Sequence, residues 1–216
     1  MKQVDSEDIV AVLREMAGRM GAATAYLGQL DGEIGDGDHG STMARGSSAI
    51  LRALNEVDPK STDLSALFAL SAGTFLNAVG ATTGPLYAAG FLRAGVYANG
   101  RRSLDADEAP MLLAAVGDGI GSRGKAIAGD KTMMDVWLPV GQAVREARRQ
   151  GMPLRDALAL ARAAADHGAE STRTMMAARG RAARLGERSL GHIDPGAASA
   201  AIIVGCFADV LAQRLG

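Results

Sequence analysis

The chain has 216 residues, with 23 Lys and Arg against 24 Asp and Glu and a net charge of −1 at neutral pH. No overall basic field exists to draw it to nucleic acid or an anionic membrane, so neither is expected as a partner. Apolar residues make up 48% and charged residues 22%, while aromatics reach only 4% and there are 6 Pro; that usage excludes a disordered chain and disfavours an all-β fold. The single cysteine, Cys206 in AIIVGCFADV, rules out an internal disulfide or a thiolate metal cluster and reads as a small buried side chain. The N-terminal MKQVDSEDIV lacks a hydrophobic signal core, and no apolar run is read as the ~20-residue span of a bilayer, so a cytoplasmic location is expected.

The predicted elements are helical throughout. Ile9, Leu13, Met16, Met20, Ala23, Leu27 and Leu30 recur at alternate spacings of four and three, one continuous amphipathic stripe running into Asp31. A second helix is predicted over 40–54, stopped by Asp58 and Pro59, and a third from Ser61 or Thr62 as N-cap through Ala78. Pro85 suits the first turn of a fourth, which runs to the Asn99-Gly100 stop, and Pro110 does the same for a fifth with Leu112, Leu113, Val116 and Ile120. Thr132 to Gln150 reads as a sixth despite Pro139, and 153–178 as a seventh. Asp194 and Pro195 supply the cap and first residue of an eighth ending near Arg214. No linker composition or internal repeat divides the series, so residues 1–216 are expected to form one all-α domain, a bundle or closed barrel of about eight antiparallel amphipathic helices.

Three polar, glycine-rich segments contain residues that helix packing does not require: LDGEIGDGDHGSTMARG (30–46), SRGKAIAGDKTMMDVW (122–137) and RGRAARLGERSLGHIDPG (179–196). In the first, Asp31, Asp36 and Asp38 crowd into one tight turn with Glu33 between them. Carboxylates so close repel unless a cation neutralises them, and an oxygen-only set with room left over suits magnesium bridging to phosphate. The spacing does not fit an EF-hand loop. His39, Gly40, Ser41 and Thr42 follow at a helix start, where backbone amides and two hydroxyls can meet a phosphate. Thr82, Thr83 and Gly84 before Pro85 offer a second loop, a weak signal by itself. The middle segment nearly spells a P-loop but has Asp130 between Gly129 and Lys131 and no preceding strand, so a P-loop NTPase is rejected. The third has Arg179, Arg181, Arg184 and Arg188, a residue type suited to phosphate oxygens, although such arginines also serve helix ends and solvent.

Together with GATTGPLYAAGFLRA, these segments closely resemble the nucleotide-binding L subunit of dihydroxyacetone kinase over nearly the whole chain. The resemblance implies a barrel of eight antiparallel helices that holds an adenine nucleotide, ADP or ATP, and two Mg2+ ions at one rim. On it, Asp31, Asp36 and Asp38 match the metal ligands, and His39, Gly40, Ser41 and Thr42 the phosphate-contacting turn. Ala81, Thr82, Thr83, Gly84, Gly121, Thr132, Met133, Arg179 and the turn His192, Ile193, Asp194 would line the nucleotide pocket, with Arg179 and Arg181 interchangeable in the alignment. The family's usual Ala-Ser-Gly stands here as Thr82-Thr83-Gly84, which keeps the hydroxyl chemistry. The implied activity is phosphoryl transfer to dihydroxyacetone, or a related short ketose or tetrulose, held on a separate K-type subunit. The phosphoryl supply is either exchange of ATP or an M-type protein of the phosphotransferase system, and a homodimer is left open. Arg45, Lys125, Lys131 and the arginines of 179–188 would form a positive ring where such a partner docks. The alternative is a nucleotide- and metal-sensing module that docks on a regulator without catalysis.

Overall fold

The computed structural model describes residues 2–80 and 82–215. Among them are nine α-helices: α1 (Ser6–Ala22), α2 (Thr24–Ile34), α3 (His39–Leu54), α4 (Leu64–Ala78), α5 (Thr83–Ala98), α6 (Met111–Gly124), α7 (Met134–Arg149), α8 (Leu154–Ser171) and α9 (Pro195–Leu215). Strands β1 (Gln3–Asp5) and β2 (Ser103–Asp105) form a small antiparallel pair with Val4 opposite Leu104. Three-residue strands leave no periodicity to read, and none was expected.

Eight helices close a ring. Along it α1 packs on α3, α3 on α4, and so on in order to α9, which packs back on α1. The fold is therefore the all-α barrel that the sequence implied, with α2 outside the ring against α3 and α9. α2 is the departure from a single first helix. The Thr24 hydroxyl bonds back to the carbonyls of Met20 and Gly21 at 3.1 and 2.8 Å, breaking the helix at Ala23. The apolar stripe still holds: Ile9, Leu13, Met16, Met20 and Leu27 are buried.

Other boundaries move for equally local reasons. Asp63 rather than Ser61 or Thr62 caps α4, accepting from the Ala66 N–H at 2.8 Å, because both hydroxyls are spent on the Asp58 carbonyl. α8 stops at Ser171 instead of reaching Ala178: Ser171, Thr172 and Thr174 each bond back to a carbonyl three residues earlier, and a 3-10 turn follows at Thr172–Thr174. Pro85 and Pro110 sit at the starts of α5 and α6. Asp194 caps α9 through the Ala197 N–H at 2.8 Å.

The core inside the ring contains Phe75, Tyr87, Phe91 and Trp137, with Phe75 edge-on to Tyr87 at 5.6 Å between ring centres. α9, with a mean hydropathy of 1.7, is long and apolar enough to cross a membrane, contrary to the expectation that no run is, but 72% of that stretch is buried inside the protein, as befits a core helix. Cys206 lies on α9, fully buried. Close helix approach depends on glycine. α5 and α6 touch where a Cβ on Gly119 would overlap the Ala89 carbonyl, and α7 and α8 where one on Gly168 would overlap that of Asp135.

Gly119→Ala should therefore push α5 from α6 and cost about 1–3 kcal/mol, the usual penalty of overpacking. A thermal melt should show a fall of several degrees, whereas an unchanged midpoint would mean the two backbones are free to separate.

Candidate nucleotide and metal site

The ring brings alternate helix ends to one rim. A cleft of about 540 Å³ opens there, lined by the starts of α3 (His39, Thr42), α5 (Thr83), α7 (Met134) and α9 (Pro195, Gly196) and by the ends of α2 (Asp31, Ile34) and α6 (Ile120, Gly124). Four helix N-termini thus point their positive dipole ends toward the cleft, a setting that favours an anion.

Beside them lies the acidic turn. Carboxylate oxygens of Asp31, Asp36 and Asp38 fall within 4.8 Å of one another. The turn is built for this approach: Gly37 adopts φ +78°, and a Cβ on Gly35 would overlap the Asp31 carboxylate. A Cβ on Gly40 would overlap the Thr24 carbonyl, so α3 can begin only if it lies flush against α2. Asp31 accepts from the His39 N–H at 3.1 Å, and Asp36 pairs with the Arg181 guanidinium. A guanidinium already answers the negative charge at Asp36, which fits a donor set made for a hard cation.

The remaining predicted residues divide. Thr82, Thr83, Thr132, Met133, Arg179 and Asp194 line the cleft together with His39 and Thr42. His39 turns its imidazole inward, Nε2 lying 2.9 Å from Ser199 Oγ, and burial lowers its pKa. Ser41 spends its hydroxyl on the Asp38 carbonyl, and Gly84 makes the turn into α5 against the Val79 carbonyl. Gly121 packs on Met134. His192 lies outside the cleft lining with Nδ1 2.8 Å from Glu33, and Ile193 packs against the core. Ala81 falls outside the described residues.

Arg179 and Arg181 separate in space. Arg179 is tied to the connection before α7, its Nε 3.1 Å from Asp130 and its Nη2 3.1 Å from the Lys125 carbonyl, whereas Arg181 reaches the acidic turn. Sequence reasoning missed the apolar wall of Ile34, Leu86, Ile120, Ala126 and Met134, a surface on which a planar base can rest. Leu86 and Ile120 read as ordinary core in their helices, Ile34, Ala126 and Met134 lie within the polar glycine-rich segments, and nothing in their spacing marks a wall. Of the expected positive ring, Arg45 lines the cleft and donates to the Ala78 carbonyl, while Lys131 also borders the cleft but is buried, with its ammonium on the carbonyls of Thr172 and His192.

A helical barrel with an acidic, anion-attracting rim defines a class, and sequence comparison identifies it. The DAK2 domain model matches residues 33–209, and the chain belongs to that family. It is 44% identical over 174 residues to the ADP-binding subunit DhaL of the PEP-dependent dihydroxyacetone kinase of Escherichia coli, covering 81% of this chain and 82% of that one. It is 33% identical over 210 residues to L-erythrulose 1-kinase of Mycolicibacterium smegmatis, covering 96% of this chain and 36% of that one. The crystal structure of the dihydroxyacetone kinase from C. freundii in complex with AMP-PNP and Mg2+ matches with a TM-score of 0.72 at 26% identity, over 97% of this chain and 35% of that one. The chain thus spans about a third of those two longer kinases and most of the DhaL subunit. The relatives matched over most of their length are named as ADP-binding subunits of dihydroxyacetone kinases, which are phosphotransferases.

Asp194 gives the site a pH signature. Burial, opposed in part by the Ala197 N–H and the charge of Lys131, pushes its carboxyl up from 3.8 to about 7. Across that window the folded protein holds a proton that the unfolded chain has released, so stability falls as pH rises from 4 toward 7. Asp194→Asn keeps the capping oxygen and removes the titration. In EDTA the variant should gain several degrees of melting temperature on the wild type between pH 5 and pH 8, and a constant difference would disprove this account.

Proposed function

We propose that this chain is the nucleotide-binding, phosphoryl-donating subunit of a kinase for dihydroxyacetone or a related short ketose. The observation that carries the reading is the meeting, in one cleft, of three convergent carboxylates, four helix N-termini and an apolar wall. An adenine nucleotide with its metal would meet those features in order: a base for the wall, phosphates for the helix ends and a cation for the carboxylates. The names of its relatives, which mention ADP-binding, AMP-PNP and Mg2+, support the same ligands.

In this reading Asp31, Asp36 and Asp38 hold magnesium, two ions by family resemblance, which when bound supplies charge neutralisation on the phosphate oxygens. The chain's own residues do the rest by position. The start of α3 faces the phosphates with the Thr42 hydroxyl and the amides of Gly40 and Ser41, those of His39 and Thr42 being spent on Asp31 and the Asp38 carbonyl, and Thr82 and Thr83 add hydroxyls at the start of α5. With a metal on Asp36, the Arg181 guanidinium would be free for the phosphate oxygens. Met133, Ile120 and Leu86 hold the base and keep water from it. Phosphoryl transfer asks for positioning and electrostatic stabilisation rather than a covalent nucleophile.

The reading takes residues 1–216 as one domain, supported by the ring that joins α1 to α9. It places the acceptor on a separate K-type subunit docked over the rim, in the cytoplasm, with ATP or a phosphotransferase-system M-type protein replenishing the phosphoryl group. The mention of PEP in the name of the E. coli relative favours the second supply.

Magnesium-ADP at a hundred times its dissociation constant should stabilise the fold by about 2.7 kcal/mol. The melting temperature should accordingly rise by roughly 5–10 °C over EDTA. Asp36→Asn should lower the affinity for magnesium-ADP at least tenfold with helix content unchanged. Absence of any shift at saturating ligand would sink the site. Mixed with a K-type subunit, the chain should phosphorylate dihydroxyacetone or erythrulose with ATP or with a phosphotransferase donor. Steady turnover by the isolated chain would refute the division of labour.

A further inference from the structure

We propose that Lys131 is a positioning residue: its ammonium clasps the two ends of segment 172–192 and so presents Arg179 and Arg181 at the rim. The function of those arginines rests on the nucleotide reading above; the clasp itself does not.

Lys131 is 1% exposed and is the one Lys or Arg buried among the described residues. Burying an ammonium is costly unless its donors are satisfied. Here the partners are two backbone carbonyls, Thr172 O at 2.6 Å and His192 O at 2.5 Å. Thr172 follows the last residue of α8, and His192 lies two residues before the Asp194 cap of α9. One side chain therefore pins both feet of the longest connection in the ring. Neighbouring bonds tighten the same point: the Asp194 N–H donates to Thr172 Oγ1, and the Gly191 N–H to the Arg173 carbonyl.

The backbone is shaped for this. Lys131 adopts φ +57°, a left-handed conformation that a non-glycine residue takes only when its surroundings demand it. The Asp135 carboxylate demands it, accepting from the Gly129 N–H at 2.5 Å and the Thr132 N–H at 2.8 Å on either side. The turn sends adjacent side chains to separate tasks. Asp130, itself buried, accepts from Arg179 Nε, and its carbonyl accepts from the Ala178 N–H, while Lys131 reaches the feet. The tip of segment 172–192 is thus held by Asp130 and its base by Lys131, with Arg181 projecting past them to Asp36. Two of the three ammonium donors are spent on these carbonyls, and the residue borders the cleft beside Asp194. On the proposal its effect on a ligand passes through the arginines, whereas a lysine that touched the ligand directly would act whether or not they are present.

Lys131→Met keeps length and bulk and removes charge and donors. Hydrogen exchange of the ligand-free protein should show the amides of 173–191 exchanging at least tenfold faster in the variant, with α4 to α7 as protected as in the wild type. Titration of magnesium-ADP should show at least a tenfold loss of affinity. On an Arg179→Gln, Arg181→Gln background the same substitution should cost less than twofold more, because the groups it positions are already gone. A merely structural lysine would give the same factor in both backgrounds, and that result, or unchanged exchange in 173–191, overturns the proposal. If the wild type itself fails to bind magnesium-ADP, the nucleotide reading falls, and the exchange comparison still decides the clasp. Should Lys131→Met not fold, Lys131→Gln, which keeps an N–H donor without the charge, carries the same measurements.

Discussion

Closure of the ring is the constraint from which the site follows. Eight helices packed each on the next, with the last returning to the first, must place their ends in two rims. Because the chain reverses at each connection, every rim collects starts and finishes in alternation. The rim that gathers the starts of α3, α5, α7 and α9 therefore acquires positive helix ends without any basic residue being added. A near-neutral chain can hold an anion this way, since the attraction is local and needs no overall field. Ring closure also explains Gly119 and Gly168, which stand where a Cβ would overlap the backbone carbonyl of the next helix, and Gly40 does the same where α3 lies against α2 outside the ring.

The acidic residues around the cleft show how one residue type is put to opposite uses. Asp130, Asp135 and Asp194 spend oxygens on N–H donors of their own connections, and the result is a fixed backbone. Among the described residues the carboxylates of Asp31, Asp36 and Asp38 instead converge with only the His39 N–H and the Arg181 guanidinium as partners, which leaves oxygens for a cation. The first group supports the second. Without the turn that Asp135 holds, neither the buried Lys131 nor Asp130 would meet segment 172–192 where it now does.

The sequence by itself determined the helical composition, the apolar stripes, the glycine-rich breaks and the crowded carboxylates, because each depends on residues close together in the chain. Its four motifs were specific enough to imply the family and the barrel. Helix ends were less legible: the break at Ala23 and the early stop of α8 depend on single hydroxyls competing for carbonyls, and that competition leaves no period to read. Only the tertiary structure decided which arginine meets Asp36, which way His39 turns, that Ile34, Leu86 and Ile120 form one wall, and that Lys131 is buried rather than offered to a partner. Each of those facts joins residues far apart in the chain, and their meeting is fixed by the packing of the ring rather than by any local preference of the residues themselves.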